Sequence, residues 1–96
     1  MSEKRDAFVR KIKARIDEWN AEIDRLKAKA EQAEADARIE YHDEIQELKN
    51  YRDDARKKLD KLQNAGEGAW EDLKAGVEMA FDAMNQAVSS ARNRFK

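Results

Sequence analysis

The chain has 96 residues, with 20 basic and 21 acidic side chains, no cysteine and no proline. A chain this short forms one small domain, and the lack of cysteine excludes a disulfide framework and thiolate metal sites. More than half of the positions are Ala, Glu, Lys, Leu or Arg, a composition typical of long helices and coiled coils. Disordered chains usually carry a high net charge, whereas the formal net charge of this chain is only −1. We therefore expect an all-α fold.

No apolar run approaches the roughly 18 residues of a membrane-spanning helix. The first 15 residues are mixed and charged, with six basic and two acidic side chains, and lack the apolar segment of a signal peptide. These features predict a cytoplasmic protein. Residues 16–55 carry 13 acidic and six basic side chains, so a basic start is followed by an acidic middle.

The first predicted element is one long helix from about Ser2 to Asn64. Residues 64–68 are the only segment with the composition of a break, because they contain Gly66 and Gly68. Gly66 is predicted to end the helix in the left-handed conformation, and three lysines in its last turns favour the negative end of its dipole. At about 1.5 Å per residue, this helix would be about 90 Å long.

A second helix is predicted over about residues 69–95, after a glycine turn at residues 65–68. Glu71 and Asp72 would lie in its first turn, at the positive end of its dipole. Residues 1–96 are thus predicted to form a single helical coiled-coil domain, in which the second helix folds back on the first as a helical hairpin.

The apolar residues of the first helix recur every eleven positions, and residues 18–27 (EWNAEIDRLK) recur as residues 40–49 (EYHDEIQELK). Eleven residues over three turns is about 3.67 per turn, so the helix is predicted to be almost straight, with one apolar stripe. The second helix carries a similar stripe. The residues predicted to form the helix interfaces are Phe8, Ile12, Trp19, Ile23, Leu26, Ala30, Ala33, Ala37, Tyr41, Ile45, Leu48, Leu59, Trp70, Leu73, Val77, Phe81, Met84 and Val88.

Folding the second helix back covers only the later half of the long helix, so the N-terminal half of the stripe needs another partner. Two arrangements provide one. The long helix could break near residues 33–38 and give a monomeric three-helix bundle, or two chains could pair as an elongated antiparallel homodimer with three-helix-bundle ends. Residues 33–39 contain neither glycine nor proline and are rich in alanine, which favours the unbroken helix and the dimer. Its two-fold axis is predicted near Ala33 and Glu34.

The residues give little sign of catalytic chemistry. The single histidine, His42, is predicted to be exposed, and Ile39 stands three positions before it, where a Glu-x-x-His metal motif needs a glutamate. The serines lie at or near the chain ends, and the glycines follow a helix and not a strand. We therefore expect no enzyme, no metal site and no cofactor. Nucleic acid is not an expected partner, because the basic clusters are short and flanked by acidic residues.

An alternative function is adsorption to a lipid or membrane surface, since eleven-residue periodicity is also typical of apolipoproteins. The second helix favours it, because a wide apolar face is followed by the basic residues Arg92, Arg94 and Lys96. These side chains could contact anionic head groups. The same face, however, is what the first helix needs in order to bury its own stripe.

Three segments carry a resemblance to a known family: residues 17–24 (DEWNAEID), residues 35–41 (ADARIEY), and residues 69–78 (AWEDLKAGVE) followed by residues 94–96 (RFK). Together they resemble a family of small bacterial coiled-coil domain-containing proteins linked to stress responses. The resemblance implies a bacterial, intracellular, non-enzymatic protein and supplies no catalytic or binding residues. The expected function is that of a structural or interaction protein, a helical homodimer that binds an unidentified macromolecule.

Overall fold

The computed structural model describes residues 3–95, so the predicted helix start at Ser2 lies outside the described residues. Three long helices account for most of this range: α1 (Glu3–Gln32), α2 (Ala35–Gln63) and α3 (Trp70–Arg94). A short 3₁₀ turn, Glu67–Ala69, precedes α3. No β-strand occurs between residues 3 and 95. The predicted all-α class is confirmed.

The prediction of one unbroken helix to residue 64 is wrong, because the chain bends at Ala33 and Glu34. The Ala33 N–H donates to the carbonyl of Ala30 at 3.2 Å, which tightens the last turn of α1. Glu34 is extended, with φ −68° and ψ 159°, and its carbonyl accepts the first hydrogen bond of α2 from the N–H of Arg38 at 2.9 Å. The chain therefore has the arrangement predicted as the alternative, a break near residues 33–38 that lets three helices pack together.

Burial of the α1 stripe explains why the bend forms in a segment of good helix formers. Helix propensity differs by only a few tenths of a kcal/mol between ordinary residues, whereas burying one large apolar side chain contributes about 1.5–3 kcal/mol. Arg38 also satisfies carbonyls freed at the end of α1. Its Nε donates to the carbonyl of Ala33 at 3.0 Å, and its Nη2 donates to that of Glu31 at 3.2 Å. We call Ala33 and Glu34 the hinge.

The second turn also differs from its prediction. Gly66 is extended (φ −74°, ψ 168°), and none of the described glycines has a positive φ, so the predicted left-handed end at Gly66 is wrong. Asn64 ends α2 instead: its backbone N–H and its side-chain Nδ2 both donate to the carbonyl of Asp60, at 3.2 and 3.0 Å. A side-chain amide thus takes the place of the glycine terminator.

The three helices form a bundle in which α2 runs antiparallel to α1 and to α3. Arg52 of α2 donates to Asn20 of α1 at 2.9 Å, and Tyr41 of α2 stacks on Phe95, just after α3, with ring centroids 4.1 Å apart. The bundle measures 51 × 19 × 18 Å. Its length matches helices of about 30 residues, and the predicted 90 Å rod is not formed.

One apolar core runs along the bundle axis. Trp19 of α1 donates to Asn85 of α3, 66 positions later in the chain, and this separation equals six eleven-residue periods. The periodic rows of α1 and α3 are therefore in register. The buried residues are Ile12, Ile16, Trp19, Ile23, Leu26, Ala30, Ile45, Leu48, Ala55, Leu59, Leu62, Val77, Ala80, Met84, Val88 and Ala91.

The two methionines Met79 and Met84 of α3 provide a matched test of this core. Met84 is fully buried, whereas Met79 is 72% exposed. We expect Met84→Ala to lower the free energy of unfolding by about 2–5 kcal/mol, because it leaves a cavity among packed side chains. Met79→Ala should change it by less than about 0.5 kcal/mol. Urea denaturation followed by circular dichroism measures both, and equal effects would contradict the assigned packing of α3.

Candidate interaction surface

Of the 18 residues predicted to form helix interfaces, 16 lie in, or against, the core of this single chain. Ala33 and Ala37, at the hinge and in the first turn of α2, are not part of it. Eleven are buried and belong to the core given above. The other seven are half-buried: Phe8, Ala33, Ala37, Tyr41, Trp70, Leu73 and Phe81. The predicted set omitted five core residues, Ile16, Ala55, Leu62, Ala80 and Ala91. Helical spacing from residues already in the predicted set would have found two of them, because Ile16 follows Ile12 by four positions and Leu62 follows Leu59 by three.

The apolar face of α3, on which the lipid-binding alternative depended, is directed into the bundle. Val77 and Met84 are fully buried, and Val88 is 8% exposed. The arginines at the end of α3 contact carboxylates of the same chain: Arg92 contacts Glu22, and Arg94 lies 3.6 Å from Glu44. The face is therefore not displayed as a lipid-binding surface in the closed bundle, whereas Arg92 and Arg94 remain more than half exposed beside their carboxylate partners.

The two carboxylates respond differently to this environment. The hydrogen bond from Arg92 lowers the pKa of Glu22 below its ordinary value, against the opposing effect of burial. Burial raises the pKa of Glu44, helped by the nearby charge of Glu47 and opposed by Arg94. Glu22 thus holds α1 to α3 most strongly when it is ionised, whereas ionised Glu44, on α2, is partly desolvated where α2 faces α3.

Folding separates the charges along the bundle axis. The end that contains the turn between α2 and α3, made of residues 3–15 and 56–80, carries 11 basic and seven acidic side chains, a net charge of +4. The hinge end, made of residues 16–55 and 81–95, carries eight basic and 14 acidic side chains, a net charge of −6. An overall charge near zero therefore hides a strongly dipolar molecule.

Two aromatic rings lie within the positive end. Phe8 of α1 and Trp70 of α3 meet edge to face, with ring centroids 5.9 Å apart. The guanidinium carbon of Arg5 lies 5.1 Å from the centroid of Trp70, and Nζ of Lys74 lies 5.3 Å from Trp70 and 5.4 Å from Phe8. These distances are those of cation–π contacts. With Lys4, we call these residues the basic aromatic end.

Trp70 separates two shallow grooves at this end. One groove, of about 380 Å³, lies between α1 and the end of α2 and is lined in part by Arg5, Arg10 and Leu62. The other, of about 370 Å³, lies between α1 and α3 and is lined in part by Lys4, Phe8 and Lys74. Both grooves combine apolar carbon with charges of both signs, because Asp6 also lines the first groove and Glu67 and Glu71 also line the second.

His42 is exposed on α2, as predicted. Within residues 3–95, no group of three or more histidine, aspartate or glutamate side chains is placed to hold a metal ion. None of the helices in the described part of the chain is both long and apolar enough to cross a membrane. Comparison of the chain with protein-family models, with curated proteins and with solved structures found no match.

The different pKa values of Glu22 and Glu44 can be measured separately. We expect Glu22 to titrate below, and Glu44 above, the ordinary glutamate value, in carboxyl-carbon NMR spectra recorded from neutral to acid pH. Arg92→Gln should raise the pKa of Glu22 and leave that of Glu44 unchanged. Arg94→Gln should raise the pKa of Glu44 alone.

The lowered pKa of Glu22 also makes the stability of the bundle depend on pH. Because the folded-state pKa of Glu22 is lowered, its contribution is present above the unfolded-state pKa and is lost as the pH falls through the folded-state pKa. Wild type should therefore lose more stability over this acid range than Arg92→Gln does. Identical pH profiles of the free energy of unfolding for the two proteins would show that the Arg92–Glu22 contact does not persist in solution.

Proposed function

We propose that the chain is a non-enzymatic helical interaction protein of the bacterial cytoplasm, which forms a homodimer and binds another macromolecule during a stress response. The bacterial and stress assignments rest on the sequence resemblance. The structural support for the homodimer is the hinge. Only two residues connect α1 to α2, and neither has a positive φ, so both can adopt helical backbone angles without a change of side chain.

Straightening the hinge would exchange α1 between two chains. In such a dimer, α1 of one chain packs on α2 and α3 of the other and repeats the contacts of the closed bundle, so the buried core is conserved. Residues 33–39 would then gain helical hydrogen bonds, while the bonds from Arg38 to Glu31 and Ala33 would be lost. Short connections of this kind favour exchange.

The contact between Asn20 and Arg52 supports a position for the two-fold axis of the proposed dimer, if the same contact forms between two chains. Arg52 lies as far after residue 36 as Asn20 lies before it, so the long helices would cross near residue 36. This position is close to the axis predicted from the sequence, at Ala33 and Glu34. Small side chains at Ala33, Ala35 and Ala37 would allow the two helices to approach closely there.

Ala35→Pro tests the homodimer. Ala35 is the first residue of α2, where proline is well tolerated, and the extended Glu34 before it has the backbone conformation that precedes proline. Inside a continuous helix the same proline would cost about 3 kcal/mol. We therefore expect a dimer fraction for the wild-type protein refolded at high concentration, and only monomer for Ala35→Pro, by size-exclusion chromatography with light scattering.

Arg38→Ala is the opposite variant, because it removes two hydrogen bonds that only the closed hairpin makes. It should raise the dimer fraction above that of wild type. A wild-type protein that remains monomeric at every concentration, with Arg38→Ala unchanged, would contradict the homodimer.

A second candidate function is binding to a lipid surface. The sequence predicted that the apolar face of α3 would contact lipid, but that face is directed into the bundle. The basic aromatic end, by contrast, offers aromatic and cationic groups together in the closed bundle. This observation keeps a lipid surface as a candidate partner, through a different part of the molecule.

A further inference from the structure

A groove of about 380 Å³ lies between α1 and α2 beside the hinge. Its floor is formed by Ala30 and Ile45 of the core, and its charged rim by Lys27 and Glu31 of α1 and Arg38 and Lys49 of α2. Three cations and one carboxylate give this rim a net charge of +2. The groove is therefore a local positive site, although the hinge end as a whole carries a net charge of −6.

Lys27 and Lys49 share this groove without a carboxylate partner. Among residues 3–95, neither ammonium group forms an ion pair. The charge of Lys27 lowers the pKa of Lys49 below its ordinary value, helped by burial and by Arg52 and opposed by Asp53. Asp53 itself accepts hydrogen bonds from Arg52, at 3.1 and 3.0 Å. The acidic residues of the hinge end therefore leave a positive potential at Lys49.

Arg38 is held in place at the hinge edge of the groove. Its Nε and Nη2 donate to the carbonyls of Ala33 and Glu31, while its Nη1 donates to no atom within residues 3–95. A guanidinium that is already fixed loses little rotamer freedom when it binds a further acceptor. His42, which is exposed and also lines the groove, can donate another hydrogen bond.

The groove between α1 and α3 also contains cations, but these have acceptors within the chain. Arg25 and Arg92 both contact Glu22 there, and Lys29 donates to the carbonyl of Phe95 at 3.1 Å. An external anion would compete with these contacts. Between Lys27 and Lys49 it would meet no such competitor among the described residues.

We propose that the groove between α1 and α2 binds a small tetrahedral dianion of the phosphate class, either inorganic phosphate or a phosphate monoester, between Lys27 and Lys49. A dianion balances both ammonium charges, whereas a monoanion balances only one. Its several oxygens can accept hydrogen bonds from donors on both walls of the groove, Arg38 included. The site goes beyond the interaction function proposed above and does not depend on the homodimer.

Sulfate and phosphate are the probes for this site, with acetate as the monoanionic control. Titrations at constant ionic strength can be followed by NMR of the lysine ε-carbons. We expect sulfate and phosphate to produce saturable shifts at Lys27 and Lys49 and to raise the pKa of Lys49, because the bound charge favours its protonated form. Acetate should produce no saturable shift. Phenyl phosphate separates the two sources: binding equal to that of phosphate indicates the free ion, and tighter binding indicates a monoester.

Two double variants that remove the same charge locate the site. Lys27→Gln with Lys49→Gln should weaken sulfate binding by about tenfold or more, because it removes two charge-assisted donors. Lys13→Gln with Lys57→Gln changes exposed residues of the same two helices outside the groove and should weaken binding by less than about twofold. Glu31→Gln should strengthen binding by about twofold, because it removes the carboxylate from the rim. Circular dichroism establishes that each variant is folded.

Equal weakening by the two double variants, or shifts that acetate reproduces at the same ionic strength, would overturn the site. Absence of saturable sulfate and phosphate binding would also overturn it and would leave the proposed homodimer untouched. Ala35→Pro, which favours the bent hinge, should bind sulfate as tightly as wild type. Loss of binding in this variant would assign the anion to an exchanged dimer and overturn the groove of the closed bundle.

Discussion

The bend at Ala33 and Glu34 is the feature on which the rest of the structure depends. Without it, the apolar stripe of α1 would have no cover within the chain, since α3 extends along only one half of a straight α1–α2 helix. With it, all three stripes share one core, and Trp19 of α1 can reach Phe81 of α3, with ring centroids 5.4 Å apart. Burial of five large apolar side chains of α1 outweighs the helical hydrogen bonds lost at two residues.

The same bend produces the charge separation. It places the basic start of α1 beside the basic end of α2, whereas the acidic middle of the chain collects around the hinge. Phe8 and Trp70, 62 positions apart, meet only because α1 returns to the turn that precedes α3. The bend also places Lys27 of α1 beside Lys49 of α2, so the groove proposed to bind a dianion and the hinge proposed to permit dimer exchange have one physical origin.

Periodicity made much of the core predictable. Residues such as Trp19, Leu48 and Met84 repeat with the helical period, and a buried stripe follows from this spacing alone. The hinge could not be predicted in this way, because alanine and glutamate are good helix formers. The uncovered half of the α1 stripe could be buried either by a bend or by a second chain. Both arrangements bury the same core, so the spacing of the apolar residues does not distinguish them. The basic aromatic end could not be assembled from sequence, since its contacts require the bend.

A distance within one chain tests the bend most directly. Lys13 of α1 and Lys57 of α2 are both exposed, and the chain has no cysteine, so Lys13→Cys with Lys57→Cys provides two sites for spin labels. The labelled monomer, isolated by size-exclusion chromatography, reports the intrachain distance by pulsed electron paramagnetic resonance. We expect a separation on the order of 20 Å, as for neighbouring antiparallel helices. A separation of about 66 Å, the rise of 44 helical residues, would show that the helix is continuous and the bend is absent.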